Sequence, residues 1–591
     1  MLILLLSLAR VIKSLNVDLG SIKLSNGAEV MGAADDDESG WSVSDAGDVN
    51  GDGYDDVIIG ARNADVLDRV NAGCTYVLFG RRDGLPNIDL SSLRTSQGFK
   101  VMGASANDQS GWAVSSAGDV NGDGYDDVII GAPNVDVNGH GDAGAAYIIF
   151  GKQNGHFNID LASLSGVEGV MIAGHRANDK FGNAVGGNFD FNNDDLGEVV
   201  IGARLASPDG RHNAGAAYVI LGRTSFDDVI DVSTLTVSDG FIIKGAETDD
   251  QTGISVSGAG DVNGDGYDDV IIGAFHADPL GRNKAGSACV VFGTSRIQTV
   301  DMLHLHPSQA SAILGAHSDD KCGRSVSGAG DVNGDGYDDI IIGAVFADPL
   351  DRTNAGISYI LFGRAGFTGV DLLDLSGVEG IKILGGMAYD KSGVSVRYAG
   401  DVNDDGYADV LVGTDSSGKI IVDYYYYGDD TPANTGFSYL LYGKPDLQDI
   451  DLAVLPITQG ISFSGAALED RAGRAVSGAG DVNGDGYADI IVGAFLGSPD
   501  GRTHGGCSYL IISDSPPTVV FGGGGGRSDS DGDSKDDGKF DDRTGSNREH
   551  VGDKPSKPKH SPKHGGKHGK QGRRHQHKSK HGPFLRGEAT L

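Results

Sequence analysis

The sequence predicts an all-β protein: a seven-bladed β-propeller of four-stranded antiparallel blades, closed by its N-terminal strand and followed by a disordered C-terminal tail. Three observations predict it. The stretch from Gly47 to Ala61 returns almost letter for letter from Asp119, Asp261, Asp331, Asp401 and Asp481, with a divergent copy from Asp190. Successive copies begin 71, 71, 71, 70, 70 and 80 residues apart, a period that marks stacked units of one array. Each unit also holds four short strand-like runs without helical periodicity, which is the grammar of a propeller blade.

The second unit shows the elements in order. Ser110–Gly118 is a first strand with small residues on one side, as crowding at a propeller axis requires. The acidic loop Asp119–Asp127 follows. Val128-Ile129-Ile130 is a second strand, apolar on both faces because it lies between neighbouring blades. A polar connection, Pro133–Asp142, leads to the third strand, Ala145–Phe150. Asn158–Leu164 reads as a short capped turn with Asp160 at the N-cap. Gly169–Gly174 is the fourth strand.

The two ends settle how the array closes. The chain opens with a fourth strand, Ala28–Gly32, before any first strand. The last unit has first, second and third strands (Arg474–Gly480, Ile490–Gly493, Cys507–Ile512) and no fourth. The orphan at the start fits that vacancy, gives seven of each strand, and removes the open sheet edges that invite aggregation. The domain reading is therefore a leader or signal remnant over residues 1–15, the propeller over 16–515, and a tail over 516–591. Met1–Ala9 is apolar but lacks a basic start, so a truncated signal peptide and a piece of strand both fit it.

The repeated loop carries the chemistry. With Asp48 as position 1, side-chain oxygens fall at positions 3 (Asn50), 5 (Asp52) and 9 (Asp56). Tyr54 at position 7 offers its backbone carbonyl, and Gly53 at position 6 permits the sharp turn. Hard oxygen ligands at this spacing suit Ca²⁺ and suit the tighter octahedron of Mg²⁺ poorly. The same positions are Asp119, Asn121, Asp123, Tyr125 and Asp127; Asp261, Asn263, Asp265, Tyr267 and Asp269; and Asp331, Asn333, Asp335, Tyr337 and Asp339. They recur as Asp401, Asn403, Asp405, Tyr407 and Asp409, and as Asp481, Asn483, Asp485, Tyr487 and Asp489. An EF-hand is excluded, because position 12 is Ile59 and the loop leaves into a β-branched strand. The plain alternative is an Asx-rich turn without metal. In the divergent copy, Asp190, Asn192, Asp194, Leu196 and Glu198 hold the ligand positions, but Asp195 replaces the turn Gly, and the expectation is a weaker or empty seventh site.

These loops, with their Gly-Ala exit and the Phe79-Gly80 ending of the unit, resemble the FG-GAP repeats of integrin α-chain β-propellers. The resemblance implies seven blades with Ca²⁺ between the first and second strand of a blade, and ligands on the face opposite those loops. In the sixth unit the segment between second and third strands is ten residues longer and includes Tyr424, Tyr425, Tyr426 and Tyr427. By the same resemblance it lies on the docking face, which makes these tyrosines candidate ligand contacts.

Charge and composition narrow the function. The formal net charge is −36. From Pro516 on, sixteen Lys or Arg face ten Asp or Glu, a net +6, which leaves −42 on residues 1–515. That acidity argues against nucleic acid as a partner of the propeller. The tail runs from a glycine linker through an acidic stretch to Lys554–Arg586, which has no Asp or Glu. Such composition buries no core; it reads as a solubilising tail or as an arm for anionic polymer or membrane. No stretch is long and apolar enough for a transmembrane helix. Cys74, Cys289, Cys322 and Cys507 form no close-spaced pair and read as small buried residues. No Gly-x-Ser-x-Gly elbow or HExxH motif occurs, so an enzyme is not indicated. The resulting reading is a Ca²⁺-stabilised extracellular or cell-surface binding or adhesion module for a protein or glycan ligand. A secreted hydrolase or lyase built on the propeller, and a structural surface or matrix protein, are the alternatives.

Overall fold

The computed structural model describes residues 15–22, 26–415 and 435–513. Seven sheets follow one plan. In the first blade, Ser39–Gly47, Asp56–Ala61, Cys74–Leu78 and Gly98–Met102 pair antiparallel in sequence order. The second strand is buried along its whole length in this blade and in its counterparts, for example Asp127–Ala132 and Asp269–Ala274. This is what a strand covered by sheets on both faces requires, and it explains the Val-Ile-Ile runs.

Closure is as the sequence implies. Gly27–Met31 pairs antiparallel with Cys507–Ile511, with Gly27 opposite Ile511 and Met31 opposite Cys507, and completes the seventh blade. The propeller has a feature the sequence reading missed. The segment taken as a capped turn is also a short fifth strand. Ile159–Asp160 runs parallel to Gly98–Met102 of the preceding blade before Leu161–Ser163 turns as a 3₁₀ helix capped by Asp160. Ile88–Asp89 does the same on Gly27–Met31, and Asn16–Asp18 on Gly460–Ser464 of the sixth blade. The N-terminal segment therefore joins two blades.

An arginine pins this outer strand in five blades. Arg69 donates to both carboxylate oxygens of Asp160, each at 2.8 Å, and to the carbonyls of Gly103 and Ala104 at the end of the fourth strand. Arg211–Asp301, Arg282–Asp371, Arg352–Asp451 and Arg502–Asp89 repeat the pairing. Glycine explains how blades approach at the axis. A Cβ on Gly60 would lie 2.2 Å from the Gly111 carbonyl oxygen of the next blade, and Gly493 meets Gly40 the same way across the closure. Seven such Gly–Gly contacts circle the ring (Gly131–Gly182 and Gly202–Gly253 among them), so the Gly of each Gly-Ala exit is a spacing element.

Seven clusters of buried apolar side chains lie between neighbouring sheets, and each draws on two blades. All four cysteines are free and buried. Among the described residues no helix is long and apolar enough to cross a membrane. A chain lacking residues 1–31 loses both the fourth strand of the seventh blade and the outer strand of the sixth. It should melt well below the intact chain or aggregate on purification, as read by circular dichroism and size-exclusion chromatography; an unchanged melt would contradict closure by this segment.

Candidate metal centres

Each first strand ends at one rim of the propeller, and the acidic loop turns there into the second strand. In the first blade the backbone N–H groups of Gly51 and Asp52 donate to Asp48 Oδ1 (2.8 and 3.0 Å), and that of Gly53 to Oδ2 (2.8 Å). Asp48 thus organises the turn while Asp52 accepts from the Tyr54 N–H at 3.2 Å. The same bonds recur about Asp119, Asp261, Asp331 and Asp481, and in part about Asp401. Gly53 adopts φ 88°, as the position-6 reading requires, and in the divergent loop Asp195 takes φ 67° there.

The position-9 carboxylate decides the electrostatics. Asp56 is fully buried, accepts from the Gly80 N–H at 2.9 Å, and lies 3.3 Å from Asn50 Nδ2. Burial pushes its carboxyl up to about 8, and the charges of Asp52 and Asp48 add to that. Asp127, Glu198, Asp269, Asp339 and Asp489 are likewise pushed to about 8, and Asp409 to about 7, each chiefly by burial. Among the described residues no Lys, Arg or His forms an ion pair with any of the seven. Two position-3 oxygens, Asn192 Oδ1 and Asn403 Oδ1, are buried without a hydrogen-bond partner. An all-oxygen set with an uncompensated buried carboxylate and orphaned amide oxygens fits a hard divalent cation, whose charge would restore ionisation.

The divergent loop gives the least expected result. Asp190, Asp194 and Glu198 are the one group of three carboxylates among the described residues whose oxygens all lie within 4.8 Å of one another. This loop was the one expected to be weak or empty. The longer Glu198 side chain reaches back from the same buried position, accepting from the Phe191 N–H at 2.6 Å, and draws the group together. Loss of the turn glycine has not opened the loop.

The next blade grips each loop. Asp126 of the second blade accepts from the Asp48 N–H of the first at 2.8 Å. Asp55, Asp268 and Asp338 do the same for Asp481, Asp190 and Asp261. The N–H groups of Lys152 and Asn154 donate to the carbonyls of Val49 and Asn50. The Tyr125 ring lies so close to Gly51 that a Cβ there would meet its Cε1 at 2.4 Å. Position 8 was not singled out from sequence; the recurring Asp-Asp doublet was its only signal.

An aspartate precedes the first strand of each blade, and six of the seven (Asp37, Asp108, Asp250, Asp320, Asp390 and Asp470) cap their own turns. Asp37 Oδ2 accepts from the Ala34 N–H at 3.0 Å and Asp108 Oδ2 from Ser105 at 2.8 Å, and burial raises each to about 6. Tyr424, Tyr425, Tyr426 and Tyr427, Met1–Ala9 and the tail from 516 lie outside the described residues.

Comparison with known proteins agrees with this geometry. The FG-GAP repeat family profile matches residues 40–78, 110–149, 252–290, 323–361 and 472–506. The two unmatched units are the divergent third and the sixth with its longer connection. The chain is 32% identical over 185 residues to phosphatidylinositol-glycan-specific phospholipase D of Bos taurus, covering 31% of this chain and 21% of that protein. It is 32% identical over 252 residues to integrin alpha pat-2 of Caenorhabditis elegans (42% and 18%), and 27% over 258 residues to integrin alpha-PS2 of Drosophila melanogaster (43% and 16%). The chain spans about a fifth of the length of these relatives.

Between the ordinary Asp range and the raised position-9 values, the folded metal-free chain keeps protons that the unfolded chain has lost. Its stability therefore falls as pH rises through that window. The metal-free chain should melt at lower temperature at pH 8 than at pH 6; an equal or higher melt at pH 8 would contradict carboxyls so buried and so close.

Proposed function

We infer that this FG-GAP repeat protein, whose β-propeller is of the integrin-α type, is a Ca²⁺-stabilised binding or adhesion module of the extracellular space or cell surface. The observation that carries the reading is the fully buried position-9 carboxylate, repeated seven times beside two further loop acids with no cationic side chain to balance it. Ca²⁺ at Asp48, Asn50, Asp52, Tyr54 and Asp56, and at the matching residues of the other blades, would neutralise it. The metal is structural in this reading, because the loop it closes is also the surface that the next blade holds. Ligand then binds the opposite face, where the connections between second and third strands and those entering the first strands gather on a rigid scaffold. A protein ligand is the reading favoured by the similarity to two integrin α-chains.

A second reading rests on the similarity to phosphatidylinositol-glycan-specific phospholipase D: the propeller as the scaffold of a hydrolase. The thiols give it no nucleophile, since burial pushes Cys74 and Cys289 up to about 12.

Extracellular Ca²⁺ modules bind with Kd of about 10⁻⁴–10⁻³ M. At ten times Kd one site adds about 1.4 kcal/mol, so six independent sites add on the order of 8 kcal/mol. Chelation should accordingly lower the melting temperature by many degrees, and Asp52→Ala should remove a fraction of the Ca²⁺-dependent gain while the rest persists. A melt indifferent to Ca²⁺ would end the metal reading. Capture of ligand from a cell-surface protein array should require Ca²⁺; capture that is equal in chelator would separate binding from the metal.

A further inference from the structure

The axial channel opens, at the end opposite the metal loops, into a cavity of about 450 Å³. Among the described residues its wall contains Arg204, Arg324, Arg397 and Arg474, together with Trp41 and Trp112, and no Asp or Glu. Four arginines in one wall are out of keeping with a propeller whose residues 1–515 carry −42. Toward the other end of the channel the wall holds Asp45, Asp268 and Asp338, and Arg397 lines both cavities.

The guanidiniums have little of the protein's own negative charge. Arg324 makes no hydrogen bond or ion pair among the described residues. Burial pushes it down to about 10, with Arg474 and Arg204 adding to the effect and Asp415 opposing. Arg204 donates to the neutral Gln251 Oε1 at 3.1 Å. Arg397 donates to the Val326 carbonyl at 3.3 Å, and Asp45 is the carboxylate whose charge reaches it. Asp415 lies 3.9 Å from Arg474, but Arg471 (3.8 Å) and Lys391 (3.3 Å) share it. One carboxylate thus serves three cations.

Of the four, Arg474 is stacked on an aromatic ring. Arg474 lies over Trp41 at 4.9 Å from the ring centroid, and Arg62, paired with Glu38, lies over the same ring at 3.2 Å. Phe495 meets Trp41 edge-on at 5.0 Å. Stacked guanidiniums keep their N–H edges free, and those edges match planar or tetrahedral oxyanions in pairs. The loops entering the first strands carry exposed Asp35, Asp36, Asp249, Asp319 and Glu469, and also Lys180, Lys321, Lys391 and Arg471. Charge of both signs thus surrounds the hub, and the excess of arginine is confined to the cavity wall.

We propose that the channel mouth is a binding pocket for one compact oxyanion, a carboxylate or sulfate ester, presented at the narrow tip of a ligand. The proposal deepens the reading of this face as the docking face. The cavity size suits a side chain or one sugar-sized group.

Trp41 and Trp112 are the only tryptophans in the sequence, so intrinsic fluorescence reports on this pocket. The test titrates the full Ca²⁺-loaded chain at fixed ionic strength with glutarate, with methyl sulfate, and with neutral glutaramide. A saturable change with glutarate or methyl sulfate and none with glutaramide is expected; which anion saturates first names the source. Arg324→Gln should weaken the saturating anion by about tenfold or more, the usual cost of a lost charged hydrogen bond, with no loss in melting temperature. Arg69→Gln, on the outer edge of a blade, should leave the titration unchanged. A linear response, one shared by glutaramide, one unaltered in Arg324→Gln, or tighter binding of dextran sulfate than of the small anions per charge would overturn the proposal. The small probes need no partner protein. Saturation by them alongside failed protein capture would sink the adhesion reading and spare the pocket.

Discussion

The structure depends on a recurring concentration of negative charge at the turn between first and second strands. Three oxygen-bearing acids or amides face a fourth that the fold has removed from water, and among the described residues no Lys, Arg or His pairs with it. Burying an ionised carboxylate without a partner is expensive, so each turn is either protonated or metal-bound when it is stable. The cost is not local. The backbone of the same turn receives the exit of the third strand from the next blade and, in four of the seven blades, the position-8 aspartate. A loop that opens therefore loosens a joint of the ring.

Two further devices hold the circle. The outermost is the Arg–Asp latch that returns five of the connections onto the preceding sheet, and the innermost is the Gly–Gly approach at the axis. The N-terminal segment takes part in both joints of the seam: Asn16–Asp18 on the sixth blade and Gly27–Met31 in the seventh. With the metal loops at one end of the channel, the other end is free to differ from blade to blade. There the position following the first-strand glycine reads Trp41, Trp112, Asn183, Ile254, Arg324, Val394 and Arg474. The axis thus differs from blade to blade at the end opposite the acidic loops.

Much of this was legible in the sequence because propeller strands are short, local and repeated. The Asp-x-Asn-x-Asp-Gly-Tyr-x-Asp spacing located the loops, and the unmatched strands at the two termini gave the closure. What escaped had its partner in another blade. Ile159–Asp160 is too short to read as a strand, and its pairing with Val101 and Met102 is non-local. Arg69 and Asp160 are 91 residues apart, so only a column-by-column view of the repeats links them. The loop at Asp190 was ranked by its missing glycine, while the length of Glu198 governs how its oxygens meet. The arginines of the channel mouth come from different units, and the ring alone brings them to one wall.

The central claim is that buried carboxylates at these turns are balanced by divalent cations, one to a loop. Equilibrium dialysis of the intact chain against radioactive Ca²⁺ at neutral pH, with proton release followed in parallel, tests it most directly. Six or seven ions bound per chain, each displacing protons, is the predicted result. Binding of none or one, or binding without release of protons, would contradict the account.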